Sequence, residues 1–168
     1  MATLYLVGNG PQQTTAAFVA VTTGTVIKSL LQVKPLLPLK VCSWGFSCDG
    51  FAAAAPGKVE LIEVDVAATV TASAEADITK YDRVSDTATA ATVMTLSTTG
   101  TGYTATAEGS ITACRNLDGP QFLAPSTQSF IHDFPLGREP LIQVAKFARI
   151  RVTFAAAVNA YCWMLLEG

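Results

Sequence analysis

Charge is scarce in this chain, and histidine scarcer. Only 14% of the 168 residues are Asp, Glu, Lys or Arg, against roughly 25% in an ordinary soluble domain. The 11 basic and 13 acidic residues leave a net charge of −2. There is no run of like charges and no basic stripe interleaved with aromatics, so the electrostatic footprint of a nucleic-acid binder is missing. No stretch approaches the ~18 to 20 consecutive apolar residues of a membrane-spanning helix. The opening segment, Met1-Ala2-Thr3-Leu4-Tyr5-Leu6-Val7-Gly8, has no positive n-region and no long apolar core. A secretory signal is therefore not expected, and folding in a cytoplasm is. Neither nucleic acid nor a membrane is expected as a partner.

The residues that carry most chemistry are equally thin. The four cysteines form no Cys-x-x-Cys and no Cys/His cluster, which argues against zinc. Cys42 and Cys48 lie six apart on one expected strand, roughly 20 Å at the strand rise and far beyond disulfide reach. Cys114 and Cys162 sit among apolar neighbours. All four read as free, buried thiols acting as small hydrophobes. The single histidine, His132, is followed by Asp133, but adjacent strand residues point to opposite faces, so the pair reads as a surface or subunit-contact feature. Glu63 and Asp65 share a strand face at about 7 Å, near the separation of glycosidase acids. Two carboxylates on a solvent face are also commonplace. Asp77, Asp82 and Asp86 lack the Asp-x-Asp-x-Asp-Gly spacing of a calcium loop. Gly8-Asn9-Gly10-Pro11 and Gly100-Thr101-Gly102 lack the helix that a phosphate loop requires and read as turns. No catalytic residue, cofactor or metal site is expected.

What the chain does have is strand pattern, rich in Ala, Thr and β-branched residues. Short strands are expected at residues 3–7, 16–23 and 25–33. The clearest lies at 39–48, where Cys42, Trp44, Phe46 and Cys48 alternate with Ser43, Gly45 and Ser47 at period two. In 58–66 the apolar parity switches between Leu61 and Ile62, which predicts a β-bulge or a sheet switch. Residues 50–57 read as a turn and loop, and 74–90 as a long exposed loop with at most one helical turn. Further strands are expected at 91–96, 101–106 and 108–115, with a turn at 116–120 and extended segments and loops through 121–145. A closing hairpin is expected from Arg149–Phe154 and Tyr161–Leu166. Eight or more short strands at this spacing predict an all-β fold, a single antiparallel β-sandwich over residues 1–168, jelly-roll-like and with little helix.

Two features point to interaction. Phe134-Pro135-Leu136-Gly137-Arg138-Glu139-Pro140 sets an apolar plug and an Arg-Glu pair between prolines. It reads either as an ordered surface loop with a local salt bridge, or as a rigid arm docking on a neighbour through Phe134, Leu136, Arg138 and Glu139. The last strand is apolar on both faces, as a central strand or one covered by a partner would be.

Several stretches resemble small structural proteins of phages and prophages. They are Leu39–Gly50 (LKVCSWGFSCDG), Lys58–Val70 (KVELIEVDVAATV), Thr101–Thr112 (TGYTATAEGSIT), Pro135–Pro140 (PLGREP) and the closing Arg149–Glu167 segment. The chain is similar to the capsid decoration (cement) or minor head proteins of tailed bacteriophages. That resemblance implies a β-rich homo-oligomer, a trimer foremost, bound to the major capsid protein on the capsid exterior. A tail or fibre component, and a carbohydrate-binding module using the loop aromatics Tyr81 and Tyr103, are the other readings.

Overall fold

The computed structural model describes residues 3–11, 20–21, 26–49, 56–81, 89–122 and 128–168. Most of the 16–23 strand, the loop at 50–55, Asp82 and Asp86 lie outside them. The regular structure of the described residues is almost entirely strand, arranged in two antiparallel sheets.

The first sheet contains β1 (Leu4–Gly8), β2 (Ala20–Val21), β4 (Leu39–Cys48), β7 (Ile78–Lys80), β11 (Gln128–Asp133), β12 (Leu141–Ile142) and β14 (Val158–Glu167). Its order is β11-β4-β14-β1-β7, with β12 also on β4 and β2 also on β14. The second contains β3 (Lys28–Val33), β5 (Gly57–Val64), β6 (Thr69–Ala72), β8 (Gly102–Ala107), β9 (Cys114–Asp118), β10 (Gln121–Phe122) and β13 (Phe147–Thr153). Its order is β10-β5-β13-β3-β8-β6, with β9 also on β5. The sheets face each other across one continuous core. Tyr5, Trp44, Phe46, Cys162 and Met164 come from the first sheet, and Leu31, Val33, Leu61, Ile150 and Val152 from the second. This is the β-sandwich expected from the alternating patterns, since each strand must bury its apolar face against another layer.

The expected closing hairpin is not one. β13 lies between β5 and β3 in the second sheet, while β14 lies between β4 and β1 in the first. Each is a central strand with both edges taken, so the chain crosses between sheets at residues 154–157. The double-sided apolar pattern of β14 follows from that position. Val158, Ala160, Cys162, Met164 and Leu166 are buried, and Tyr161, Trp163 and Leu165 are half-buried on the outer face.

A register shift does occur between Leu61 and Ile62 as expected, on one edge of β5. β5 runs unbroken against β13. The irregularity at Leu61/Ile62 is in its pairing with β9, where Leu61 opposes Asp118 and Ile62 opposes Asn116, so the extra residue is Leu117. The parity switch has another cause: Val59 and Leu61 join the main core, while Ile62 and Val64 pack with Phe147 in a smaller cluster on the other face. A further bulge, unmarked in the sequence pattern, occurs in β4. Leu165 opposes Ser43 but Leu166 opposes Val41, which leaves Cys42 as the extra residue. Leu39 and Val41 therefore join Trp44, Phe46 and Cys48 in the core, and Cys42 leaves the face it was expected to share with Trp44.

Other expectations are corrected by local hydrogen bonds. The 91–96 strand gives way to a helical turn, α1 (Ala90–Val93). Its first N–H groups, of Ala90 and Ala91, donate to the Glu75 carboxylate at 2.5 and 3.0 Å, which satisfies donors that a helix start otherwise leaves open. The 74–90 loop holds β7, paired with β1. The 108–115 strand begins only at Cys114. Upstream, Gly109 has a φ of +71°, and the N–H groups of Thr112 and Ala113 donate to Asp65 at 3.2 and 3.0 Å. Those donors are unavailable to a neighbouring strand. β9 then occupies part of the expected 116–120 turn.

Candidate functional site

The outer face of the first sheet carries the most distinctive surface. Gly45 and Gly8 lie on either side of Trp163 in register. A methyl group on Gly45 would sit 2.5 Å from Trp163 Cε2, 2.6 Å from Cζ2 and 2.7 Å from Nε1. A ring-fusion carbon is nearest, which only a face-on approach allows, so the indole lies flat on the glycine backbone. On the other side, a methyl group on Gly8 would meet the Tyr161 ring at 3.3 Å. Leu6 and Leu165, opposed in register, continue this apolar stripe towards Leu4.

The 134–140 arm rises at the end of that stripe. Phe134 N–H donates to Cys42 O at 2.9 Å, and Val41 N–H donates to Pro140 O at 2.9 Å. Both ends of the arm are thus fastened to the bulged part of β4. Between them Arg138 N–H donates to Pro135 O at 2.8 Å, and Gly137 takes a φ of +78° with open space around it. The turn lifts Leu136 clear of the protein, with 98% of its surface exposed. An apolar groove of about 370 Å³ lies beneath the arm, with Leu4, Cys42 and Leu165 as its floor and Phe134, Leu136, Glu139 and Glu167 around it.

Three of the four arm residues singled out in the sequence therefore line one groove, and Arg138 stands outside it. The expected Arg138–Glu139 bridge is absent from the described ion pairs. Backbone N–H groups of Glu139 and Gly137 bind the Glu139 carboxyl instead and hold it below its usual range. Beside it, Lys40 Nζ lies 3.0 Å from Glu167 Oε2. Burial raises the Cys42 thiol, the Glu167 and Glu139 carboxylates raise it further, and Lys40 opposes them. The groove is thus apolar with a negative rim.

His132 has a partner, though not the adjacent Asp133. Its Nδ1 lies 2.5 Å from Asp118 Oδ2 on β9. The same carboxylate oxygen accepts from Trp44 Nε1 at 3.1 Å, and Oδ1 accepts the Gly119 N–H at 2.8 Å. Phe134 stacks on the imidazole at 4.5 Å between centroids. Asp118 thus ties β11, at the edge of the first sheet, and the core residue Trp44 to the edge of the second. No Ser, Thr or Cys hydroxyl or thiol joins the pair among the described hydrogen bonds. The geometry is that of a clasp.

The other candidates are engaged separately. Glu63 pairs with Arg115 at 3.1 Å. Asp65 accepts from the Thr112 hydroxyl and the two backbone donors already named, and its carboxyl is lowered to about 2, chiefly by the Thr112 bond. The two acids do not work as a pair. Glu60 is held by Lys58 at 2.6 Å and Arg151 at 2.8 Å. Asp77 accepts the Ala74 N–H, and no metal-holding cluster occurs among the described residues. Cys48 and Cys162 are buried as expected, but Cys42 is half-buried and Cys114 exposed, because β9 pairs only along the edge of β5. Tyr81 follows β7 in the first sheet, whereas Tyr103 lies within β8 in the second, so the two loop aromatics form no common platform.

Sequence reasoning missed a polar network behind β13. Arg149, on the outward parity of that strand, is wholly excluded from solvent. Its Nε donates to Gln32 Oε1 at 2.8 Å, its Nη1 to Glu108 O at 3.0 Å, and its Nη2 to Val66 O. Glu108 also accepts from Ser29 N and Oγ at 2.5 and 2.6 Å. Burial lowers the guanidinium pKa and the Glu108 charge opposes that. Arg149 alternates with Ile150 as any solvent-facing arginine would, so no sequence signal marks it. No described helix is long and apolar enough to cross a membrane. Comparison with family models, curated proteins and solved structures found no match.

Proposed function

We propose that the chain is a non-catalytic structural virion protein, a capsid decoration or cement protein. It binds the major capsid protein on the outside of a phage head and stabilises the lattice. The observation that carries this reading is the 134–140 arm, clamped at both ends to β4 and holding a fully exposed leucine beside an apolar groove. A rigid, pre-formed projection of this kind loses little conformational freedom on docking. The low charge of the chain and its resemblance to phage head proteins support the same reading.

The test is quantitative mass spectrometry of gradient-purified particles from the source, with copies expressed relative to the major capsid protein. A ratio near one, or a simple fraction of the lattice, is expected. A handful of copies would assign the protein to the tail or a fibre, and absence from particles would overturn a virion role. The double variant Leu136→Ala with Arg138→Ala should fold normally and lose capsid occupancy. Unchanged occupancy would remove the arm from the binding surface.

The carbohydrate-binding reading has one observation in its favour, the indole of Trp163 laid flat on the outer sheet face. A glycan screen without hits would dismiss it.

A further inference from the structure

We infer that the groove beneath the 134–140 arm is filled by a second copy of this chain, whose Leu136 enters it and whose Arg138 meets its acidic rim. This rests on the reading of the arm as a docking element: the arm joins copies of the chain to one another, and the joined copies bind the capsid.

The plug and the socket are both present on one chain, and they are complementary. The socket has an apolar floor of Leu4, Cys42 and Leu165 and a volume of about 370 Å³, enough for one aliphatic side chain with room to spare. The plug is the most exposed large apolar side chain described, Leu136, held out on a turn. The charges match as well. Two carboxylates, Glu139 and Glu167, share the rim with one ammonium, Lys40, leaving one negative charge in excess. Arg138 lies two residues from the plug, exposed and in none of the described ion pairs. Entry of a neighbour's Leu136 would carry that neighbour's Arg138 to the rim.

A plug in a groove is small beside the roughly 800 Å² per partner of a stable interface. The apolar stripe of Leu6, Trp163 and Tyr161 adjoins the groove on the same sheet face and supplies further area. Plug-to-socket contact closes either as a two-fold pair or as a small ring, so a dimer or a trimer satisfies it equally.

The test is sedimentation velocity and light scattering on the purified full chain over a concentration series. The wild type should sediment as an oligomer. Leu136→Asp should weaken self-association by at least about tenfold with an unchanged circular dichroism spectrum, since the side chain touches little in its own copy. Arg138→Glu and Glu167→Lys should each weaken it separately, and an equal mixture of the two should associate again, in full for a two-fold pair and in part for a ring of three, where one contact always joins two copies of the same variant. A monomeric wild type, or an oligomer indifferent to Leu136→Asp, would overturn the inference. Capsid occupancy is scored independently. A monomer that still decorates particles sinks only this inference, and an arm-dependent oligomer absent from particles sinks only the virion role.

Discussion

Trp163 lies with its indole flat on the backbone of Gly45, so close that a methyl group there would stand 2.5 Å from Cε2. Glycine is needed at this point for space, since the strand φ is one that any residue adopts. The pair sits in register between β14 and β4 and gives the outer face of the first sheet its flat, apolar centre.

Gly45→Ala should therefore lift the indole from the sheet. Overpacking of this kind costs about 1–3 kcal/mol, and the low end is expected because a half-buried ring can swing outward. Urea denaturation measures the cost. The chain has two tryptophans and Trp44 is wholly buried, so a red shift in native-state emission would report Trp163. A variant with unchanged emission and stability would mean that the ring does not rest on Gly45.

Arg149→Met should be among the most damaging single substitutions. It leaves Glu108 O and Val66 O without the guanidinium donor, takes one of two donors from Gln32 Oε1, which keeps the Ala68 N–H, and removes the cation facing the Glu108 carboxylate at 3.5 Å. Stranding an acceptor away from water costs about 1–3 kcal/mol, so losing the donor to both carbonyls is a large share of the roughly 5–15 kcal/mol that stabilises a domain. Arg149→Lys keeps the charge but lacks the three-way fork, and should fall between. Equilibrium unfolding of the three proteins decides this. A loss below about 1 kcal/mol for Arg149→Met would place the network outside the stabilising core.

Asp65 should give stability an acid limb. Its folded-state carboxyl lies at about 2, below the ordinary 3.8. Its contribution is therefore whole above the unfolded value and is lost as pH falls through the folded one. Thermal midpoints of the wild type and Asp65→Asn, taken from neutral pH down to about 2, should differ most at neutral pH and converge at the acid end. Parallel curves would deny the Thr112 bond its role.

Much of the sandwich was legible in the chain. The alternation in β4 and β14 follows from the pleat, which sends successive side chains to opposite faces. The arm was marked by its prolines and its mixture of apolar and charged residues. Local pattern was least reliable where a distant side chain supplies the hydrogen bonds. Glu75 caps α1 from fifteen residues upstream, and Asp65 holds residues 112 and 113 out of a strand.

The sequence by itself determined that the chain is β-rich, low in charge and layered, because strand periodicity and apolar content are properties of each segment alone. Only the tertiary structure decided which edges pair, and with them the separation of β13 from β14 into opposite sheets. It also decided the partners of His132 and Arg149. Asp118 lies fourteen residues from His132, and Gln32 lies 117 from Arg149. Nothing in the local pattern around either residue depends on a group that distant, so these contacts exist only once the two sheets have closed on one another.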